Sequence, residues 1–398
     1  MLSFNERIAN TINTMKNEFK LDSSLIYVNH AAVAPWPART VQAVKNFADE
    51  NGSVGSRHYE KWLKVEQTLK RALAQLINAQ SSSEIALLKS TSEGLSIIAK
   101  GIEWQAGDNV VISDQEFPSN FIVWDALRAC GVELRIADIS CDTPEQTTPE
   151  QTTPEQAIID LMDDNTRLLS ISSVQYASGL RMDLEKLGQA CKTFNSLFCV
   201  DAIQQIGALA FDVQAINADF VVADGHKWML GPEGLALFYC KKSSMEQLQL
   251  QQFGWHMVDD LSDFDAMINH WQPARSARRF ECGSQNMLSI HALNASISLL
   301  LEQGMQNIEA LVKANIQSLI ALFKTLPNMR ILSPTNPQHH AGIFTFYKSG
   351  VDQAKLYEYL VQQGVVCALR GGGIRFSPHF YNTQAQFEQL TRLVDGYN

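Results

Sequence analysis

Between residues 85 and 240, short apolar runs of strand length alternate with longer stretches in which apolar residues recur at helical spacing. The runs are Ile85–Leu88, Val110–Ser113, Leu134–Ala137, Leu168–Ser172, Phe198–Asp201, Phe220–Ala223 and Leu235–Tyr239. Helical patterns such as Asn120–Cys130 and Leu184–Phe194 lie between several of them. A strand that is apolar throughout is covered on both faces, and parallel strands need crossover connections, which the helical stretches supply. The alternation predicts an α/β domain built on a mainly parallel, seven-stranded sheet.

Beyond about residue 284 the rhythm changes. Two long amphipathic helices are expected near Leu288–Glu302 and Asn307–Leu326, followed by a short α+β segment. Its strands are expected near Ile343–Tyr347, Val365–Leu369 and Ile374–Ser377, and its helices near Gln353–Gln363 and Thr383–Val394. The chain therefore divides into a large domain over 26–284 and a smaller C-terminal α+β domain over 285–398. An N-terminal helix within 1–25 is expected to pack with the small domain. Residues 143–157 repeat the unit T-P-E-Q-T/A, and prolines at every fifth residue prevent one continuous helix there. This is the pattern of a tolerated surface insertion whose last copy starts a helix near Pro154.

Composition narrows the function. A chain of 398 residues exceeds one ordinary core, in keeping with two domains. The formal net charge of −10, with acids spread along the chain, argues against nucleic-acid binding and against docking on anionic membranes. The seven cysteines (130, 141, 191, 199, 240, 282 and 367) form no C-x-x-C pair, and several sit inside apolar runs, as reduced thiols packed as small hydrophobes do. No metal site is expected. Residues 1–20 lack an apolar signal core, and no stretch has the length of a membrane span, so a cytoplasmic location is expected.

Candidate chemistry gathers where apolar strands end. Phe220-Val221-Val222-Ala223 runs into Asp224-Gly225-His226-Lys227, a polar turn that presents a lysine at the carboxyl end of a strand, where α/β sheets bind ligands. Alone, it reads equally well as a surface lysine. Phe198-Cys199-Val200-Asp201 ends in a carboxylate, with Gln204 one helical turn later; a helix cap and a surface amide are the plain alternatives. Leu87-Leu88-Lys89-Ser90-Thr91-Ser92-Glu93-Gly94 leads into a helix whose free N–H groups and hydroxyls suit an anion, although Ser90-x-x-Glu93 is also an ordinary capping box. Phe117, in the strand-to-helix segment Ser113–Asn120, suits stacking on a flat ring or plain core packing. No G-x-G-x-x-G or G-x-x-x-x-G-K-[ST] is present, which argues against a dinucleotide or a nucleoside triphosphate.

Four such pieces in this order, from Thr91 to Gly234, together with Arg370–Thr383, resemble the class V aminotransferase family of fold-type I pyridoxal-phosphate enzymes. Cysteine desulfurases, kynureninases and isopenicillin N epimerase belong to it. The resemblance runs from Tyr27-Val28-Asn29-His30-Ala31-Ala32 to Tyr381-Asn382-Thr383 and implies pyridoxal 5′-phosphate held by Lys227 as a Schiff base. It implies phosphate contacts from Thr91, Ser92 and His226, a ring-nitrogen contact from Asp201, and stacking by Phe117. Gln204 and Gln175 would lie beside the phenolic oxygen, and Ser284 would reach the phosphate of a neighbouring subunit in a homodimer with shared active sites. Arg375 would bind the α-carboxylate of an amino-acid substrate, with Arg370, Asn29 and His30 nearby.

Two departures stand out. Asp224 replaces a small hydroxyl residue that contacts phosphate in many relatives, and is expected to point away from it. Only Gly371-Gly372-Gly373-Ile374 separate Arg370 from Arg375, where desulfurases carry a mobile loop with a nucleophilic cysteine. Transamination is accordingly the first expectation, β-elimination at a carbon bearing sulfur or selenium the second, and epimerisation the third. A catalytically silent binding protein of the same fold is the non-enzymatic alternative.

Overall fold

The computed structural model describes residues 15, 17–139, 153–262, 265 and 270–397. The chain enters through a two-residue strand, β1 (Ile26–Tyr27), and two long helices, α1 (Ala38–Val54) and α2 (Tyr59–Leu76). Seven strands then form one sheet: β2 (Ile85–Leu88), β3 (Asn109–Ser113), β4 (Glu133–Ala137), β5 (Thr166–Ser172), β6 (Leu197–Asp201), β7 (Phe220–Asp224) and β8 (Ala236–Cys240). Their spatial order is β2-β8-β7-β6-β5-β3-β4, and only β8 runs against its neighbours. All seven expected strands are present, with ends moved by one or two residues, and the sheet is mainly parallel as the alternation requires.

Helices α3 (Thr91–Gly101), α4 (Pro118–Asp125), α5 (Pro154–Ile159) and α6 (Leu184–Thr193) connect the strands. Apolar cores lie on both faces of the sheet, one containing Leu87, Val111, Leu169, Phe198 and Val221, the other Leu88, Val110, Leu168, Cys199 and Phe220. Alternate residues of each strand feed opposite cores, which is why the strand sequences read as unbroken apolar runs. Gly94 brings α3 against β7: a Cβ there would lie 2.6 Å from Val222 Cγ1. Because the strands are parallel, Leu88, Ser113, Ser172, Asp201 and Asp224 all end at one edge of the sheet.

Helices α7 (Met287–Gln303) and α8 (Met305–Phe323) follow. The four-stranded antiparallel sheet comes after them, ordered β12-β13-β10-β9 from β9 (Met329–Ile331), β10 (Phe344–Lys348), β12 (Ala368–Arg370) and β13 (Gly373–Phe376). β11 (Val365–Val366) pairs in parallel with β1. Helices α9 (Gln353–Gln362) and α10 (Gln384–Asp395) cover this sheet. α7 and the first half of α8 contribute Leu293, Ile297 and Ile308 to the large core, while Ile316, Leu319 and Phe323 join the smaller one. The change of core thus falls inside α8 rather than at residue 285.

Most of the expected N-terminal helix, and residues 140–152 of the T-P-E-Q repeat, lie outside the described residues; Met15 is buried in the large core. The last repeat starts α5, where the Thr153 hydroxyl accepts from the Gln156 N–H. No helix among the described residues is long and apolar enough to cross a membrane.

Candidate active site

A cavity of about 340 Å³ opens at the carboxyl edge of the parallel strands. Its wall includes Thr91 and Ser92 from α3, Phe117 ahead of α4, Asp201 and Gln204 after β6, and Asp224, His226 and Lys227 after β7. The second sheet contributes Arg370 and Arg375 from β12 and β13. A larger cleft of about 910 Å³, lined by Arg181, Gln205 and Asp212 among others, contains none of these groups.

Lys227 is held by its neighbour in the chain. The Trp228 indole is fully buried and donates its N–H to Gln204 Oε1 at 2.9 Å, and Gly342 faces its ring so closely that a Cβ there would meet Cη2 at 2.3 Å. This clamp leaves the Lys227 amine in the cavity, 5.8 Å from the centroid of the half-exposed Phe117 ring. Burial brings the amine's pKa down to about 8; Asp201 opposes the shift and Arg375 adds to it.

Asp201 is buried, with Oδ2 accepting from Asn120 Nδ2 at 2.7 Å and Oδ1 from the Ile203 N–H at 3.0 Å. Burial raises its pKa, while these bonds and Lys227 pull it back. Gln204 donates from Nε2 to Ala31 O, using one of the amide's two hydrogens. Arg375 is 2% exposed, donates from Nη1 to Tyr176 O at 2.7 Å, and buries Nε without a partner among the described residues. Burial and the nearby Arg370 lower its pKa to about 10. His226 likewise buries Nδ1 without a partner, and burial lowers its pKa to about 4. Buried donors without acceptors are costly. Arg375 and His226 line the same cavity, and a ligand with two separate anionic groups would answer both.

Residues 26–390 match the model of the family described as aminotransferase class-V. The chain belongs to the class V aminotransferase family. Across 391 residues it is 30% identical to a probable cysteine desulfurase of Methanothermobacter thermautotrophicus, covering 93% of this chain and 94% of that one. A cysteine desulfurase of Escherichia coli is 28% identical over 400 residues, covering 94% and 92%. Among solved structures, the apo cysteine desulfurase of Thermococcus onnurineus superposes with a TM-score of 0.83 at 22% identity, covering 96% and 97%. The cystine C–S lyase C-DES, in complex with cysteine persulfide, superposes with a TM-score of 0.84 at 20% identity, covering 96% and 99%. The fold is that of fold-type I enzymes, and the family's cofactor is pyridoxal 5′-phosphate.

The residues present fit this cofactor. Lys227 supplies a desolvated amine, Asp201 a fixed carboxylate, His226 an unused ring nitrogen, and the start of α3 supplies hydroxyls and N–H groups. α3 carries half of the expected capping box: Ser90 Oγ accepts from the Glu93 N–H, whereas Glu93 Oε2 turns back to the Lys89 N–H.

Three residues expected in this cavity lie elsewhere. Gln175 is buried behind the cavity, donating to Ser113 Oγ and Glu116 Oε1. His30 is fully buried, its Nδ1 facing Ser377 O at 2.8 Å and its Nε2 the Tyr381 hydroxyl at 2.6 Å. A carbonyl only accepts, so Nδ1 carries the proton and Nε2 accepts from tyrosine; burial and His379 keep the ring neutral. Asn29 pairs through its backbone with Ser377, and the cavity wall is formed instead by Ala31, Ala32 and Val33. Ser284, expected at a neighbouring subunit's phosphate rather than here, is exposed and outside this cavity.

Asp224 also departs from expectation. It lines the cavity rather than pointing away, and its Oδ2 accepts from the Thr91 N–H at 3.2 Å while Thr91 Oγ1 accepts from the Asp224 N–H at 3.1 Å. Residues not expected at the site are Asn120, which holds Asp201, and Ser119, Ser172, Tyr176 and Glu233, which line the cavity. Asn120 lies one helical turn after Phe117 and 81 residues before Asp201, so no local pattern reveals the pair.

Proposed function

We propose that this protein acts on an α-amino acid, taking its carboxylate at Arg375 and moving its α-proton with Lys227. The bond broken next is that between the β-carbon and sulfur or selenium. The observation that carries this reading is a single cavity lined by both a desolvated amine and a buried guanidinium whose Nε has no partner among the described residues. When bound, pyridoxal phosphate supplies an electron sink for the bond that breaks at the α-carbon.

The chain's own residues do the rest. Arg375 offers two parallel N–H donors, with Nη1 fixed by Tyr176 O, so a carboxylate is held in one plane. With a pKa near 8, Lys227 is neutral in roughly a tenth of molecules at pH 7, against well under a thousandth for an ordinary lysine. It is therefore able to accept a proton at Nζ. Asp201, held by Asn120 and the Ile203 N–H, presents a carboxyl group fixed in place in the same cavity.

Transamination is the reaction the sequence favours, and three observations favour elimination over it. Relatives at 28–30% identity bear the name cysteine desulfurase, and the C-DES neighbour that of a cystine C–S lyase. β12 and β13 join through Gly371 and Gly372, both at positive φ, in a two-residue turn with no thiol; Cys367 is buried and burial pushes its pKa up to about 12. Sulfur then departs from the β-carbon with the bonding electron pair, as free sulfide or a thiolate, instead of passing to a protein thiol. Finally, the cup of Thr91, Ser92 and His226 has to hold the cofactor unaided whenever Lys227 is free between transamination half-reactions, and Asp224 already occupies the Thr91 N–H.

We also take the protein to be a homodimer, in which exposed Ile122, Phe253, Trp271 and Leu288 are covered and Ser284 reaches a neighbouring site. Sedimentation of the purified protein tests this; a monomer at micromolar concentration contradicts it. The reaction is tested by supplying cysteine, cystine and selenocysteine with no keto acid. Elimination gives pyruvate and ammonia in equal amounts together with released sulfur or selenium. Product that forms only when a keto-acid acceptor is added, without ammonia, would establish transamination instead.

A further inference from the structure

We propose that the Asp224 carboxyl and the cofactor's phosphate compete for the Thr91 N–H, so that this protein takes up a proton when the phosphate binds. The proposal rests on the phosphate seat assigned above to Thr91, Ser92 and His226.

A helix N-terminus binds anions through its first free N–H groups. In α3 the Ser90 hydroxyl takes the Glu93 N–H, and Asp224 Oδ2 takes the Thr91 N–H at the very start of the helix. The side chain is locked in place from both sides, because Thr91 Oγ1 accepts in turn from the Asp224 N–H. β7 cannot draw the residue away without breaking its pairing with β8, where Asp224 stands opposite Ala236. A phosphate seated at the same amides would therefore lie against a carboxylate. Two anions at hydrogen-bond distance do not both stay ionised, and one proton shared between them turns repulsion into a strong hydrogen bond.

The surroundings already lean that way. Burial raises the Asp224 pKa to about 6, and the charge of Asp201 on β6 adds to the shift, against the opposing Thr91 bonds and Lys227. The other charged groups lining the cavity are Glu233, Arg370 and Arg375, with Glu93 turned back onto the Lys89 N–H. His226, with its pKa near 4, stays neutral above pH 5, and Lys227 changes charge only near pH 8. A bound phosphate draws protons toward His226 and Lys227 as well, but it does so equally when Asp224 is replaced, so the difference between wild type and Asp224→Asn reports the proton shared by Asp224 and the phosphate.

The probe is 4-deoxypyridoxine 5′-phosphate, which carries the phosphate but no aldehyde, so Lys227 forms no bond to it. Calorimetric titration of the apo protein at pH 7.5, in buffers of different ionisation heat, counts the protons taken up. The expected result is close to one more proton per ligand for the wild type than for Asp224→Asn. Wild-type affinity should fall about tenfold per pH unit above 6.5, and Asp224→Asn should flatten that slope. Asp224→Ser should behave as Asp224→Asn does, which guards against a fault peculiar to one variant. Pyridoxine, lacking phosphate, should bind with no difference in proton uptake between the forms. Equal proton uptake and equal slopes in wild type and both variants would overturn the inference while leaving the phosphate seat intact. Failure of the phosphate probe to bind any of the three more tightly than pyridoxine would overturn the seat itself, and the inference with it.

Discussion

Lys70 and Lys227 are both buried lysines with carboxylates nearby, and burial has opposite consequences for them. Lys70, on α2, reaches Glu66 Oε1 at 2.9 Å and Glu281 Oε1 at 2.8 Å, and Glu281 Oε1 also accepts from the Leu87 N–H at 2.7 Å. Burial alone would lower the Lys70 pKa, but the two carboxylates more than reverse it, and the net shift is upward. Lys227 has Asp201 and Asp224 in its vicinity, but both are spent on other donors, Asn120 and Thr91, and Arg375 adds a like charge. Its pKa falls to about 8. In the first cluster the ammonium is paired on both sides and joins α2, β2 and the segment before α7. The second is incomplete, and its missing partners are what a ligand supplies.

His256 and Glu66 lie close enough to Glu281 that the three could hold a metal ion, yet the Lys70 ammonium stands among them and provides the positive charge. The ingredients of a site are therefore not enough; what sets Lys227 apart is an amine without a partner in the wall of a cavity.

The largest effect that separates the two lysines should be catalytic. Lys227→Met should cost ~10²–10⁴-fold in turnover, the range of a positioned proton-transfer group. It should not cost stability. A lysine whose pKa is lower folded than unfolded penalises folding in full below about pH 8, a penalty that fades as pH rises from there and is gone above the ordinary lysine value of 10.5. The apo variant should therefore melt no lower than wild type at pH 7 in calorimetry. A clear drop in melting temperature would show that Lys227 has structural partners after all.

Lys70→Met should do the reverse. It leaves Glu66 and Glu281 buried without a cation, which typically costs about 3–5 kcal/mol. Denaturant titration measures the loss. Any protein that remains folded should keep a turnover number near wild type, and a catalytic defect in fully folded Lys70→Met would collapse the distinction.

The fold was largely legible in the sequence because each strand of the central sheet is buried on both faces and so announces itself as a short apolar run. α1 was not, since only Thr40 among its residues is buried and no apolar stripe marks it. Lys227, Asp201 and Arg375 could be read because they follow strands whose ends share one edge. Gln175 and His30 were misplaced for a physical reason: neighbours in sequence on either side of a turn face opposite ways. Tyr176 and Ala31 line the cavity, while the side chains next to them turn inward to Glu116 and Tyr381. The Asp224–Thr91 and Asn120–Asp201 bonds span 133 and 81 residues and are invisible to any local pattern.

Arg375→Lys sharpens the comparison at a smaller scale. It keeps the charge and loses the paired donors, so KM for the amino acid should rise ~10–100-fold, the worth of about 1.5–3 kcal/mol of charged hydrogen bonding. Cofactor content should be unchanged. An equal rise for amines that lack a carboxylate would contradict the role.

The smallest expected effect is a shift in pH dependence. Arg375→Met removes a positive charge near Lys227, so the ammonium becomes easier to keep and its pKa should move above 8. Asp201→Asn removes a negative charge and should move it below. Rates of cofactor capture followed by absorbance between pH 6 and 10 read both shifts, and shifts in the same direction would show that neither charge reaches the amine.

The central claim is that Lys227, alone among the buried amines described, is left without a partner so that it can react. Apo protein mixed with pyridoxal 5′-phosphate, reduced with borohydride over a range of pH and mapped by peptide mass spectrometry tests it directly. The account predicts one labelled peptide, containing Lys227, captured at a rate that rises with pH through about 8 and then levels off. Label on Lys70, Lys89, Lys241 or Lys242, or a rate that keeps rising toward the ordinary lysine range near 10.5, would contradict it.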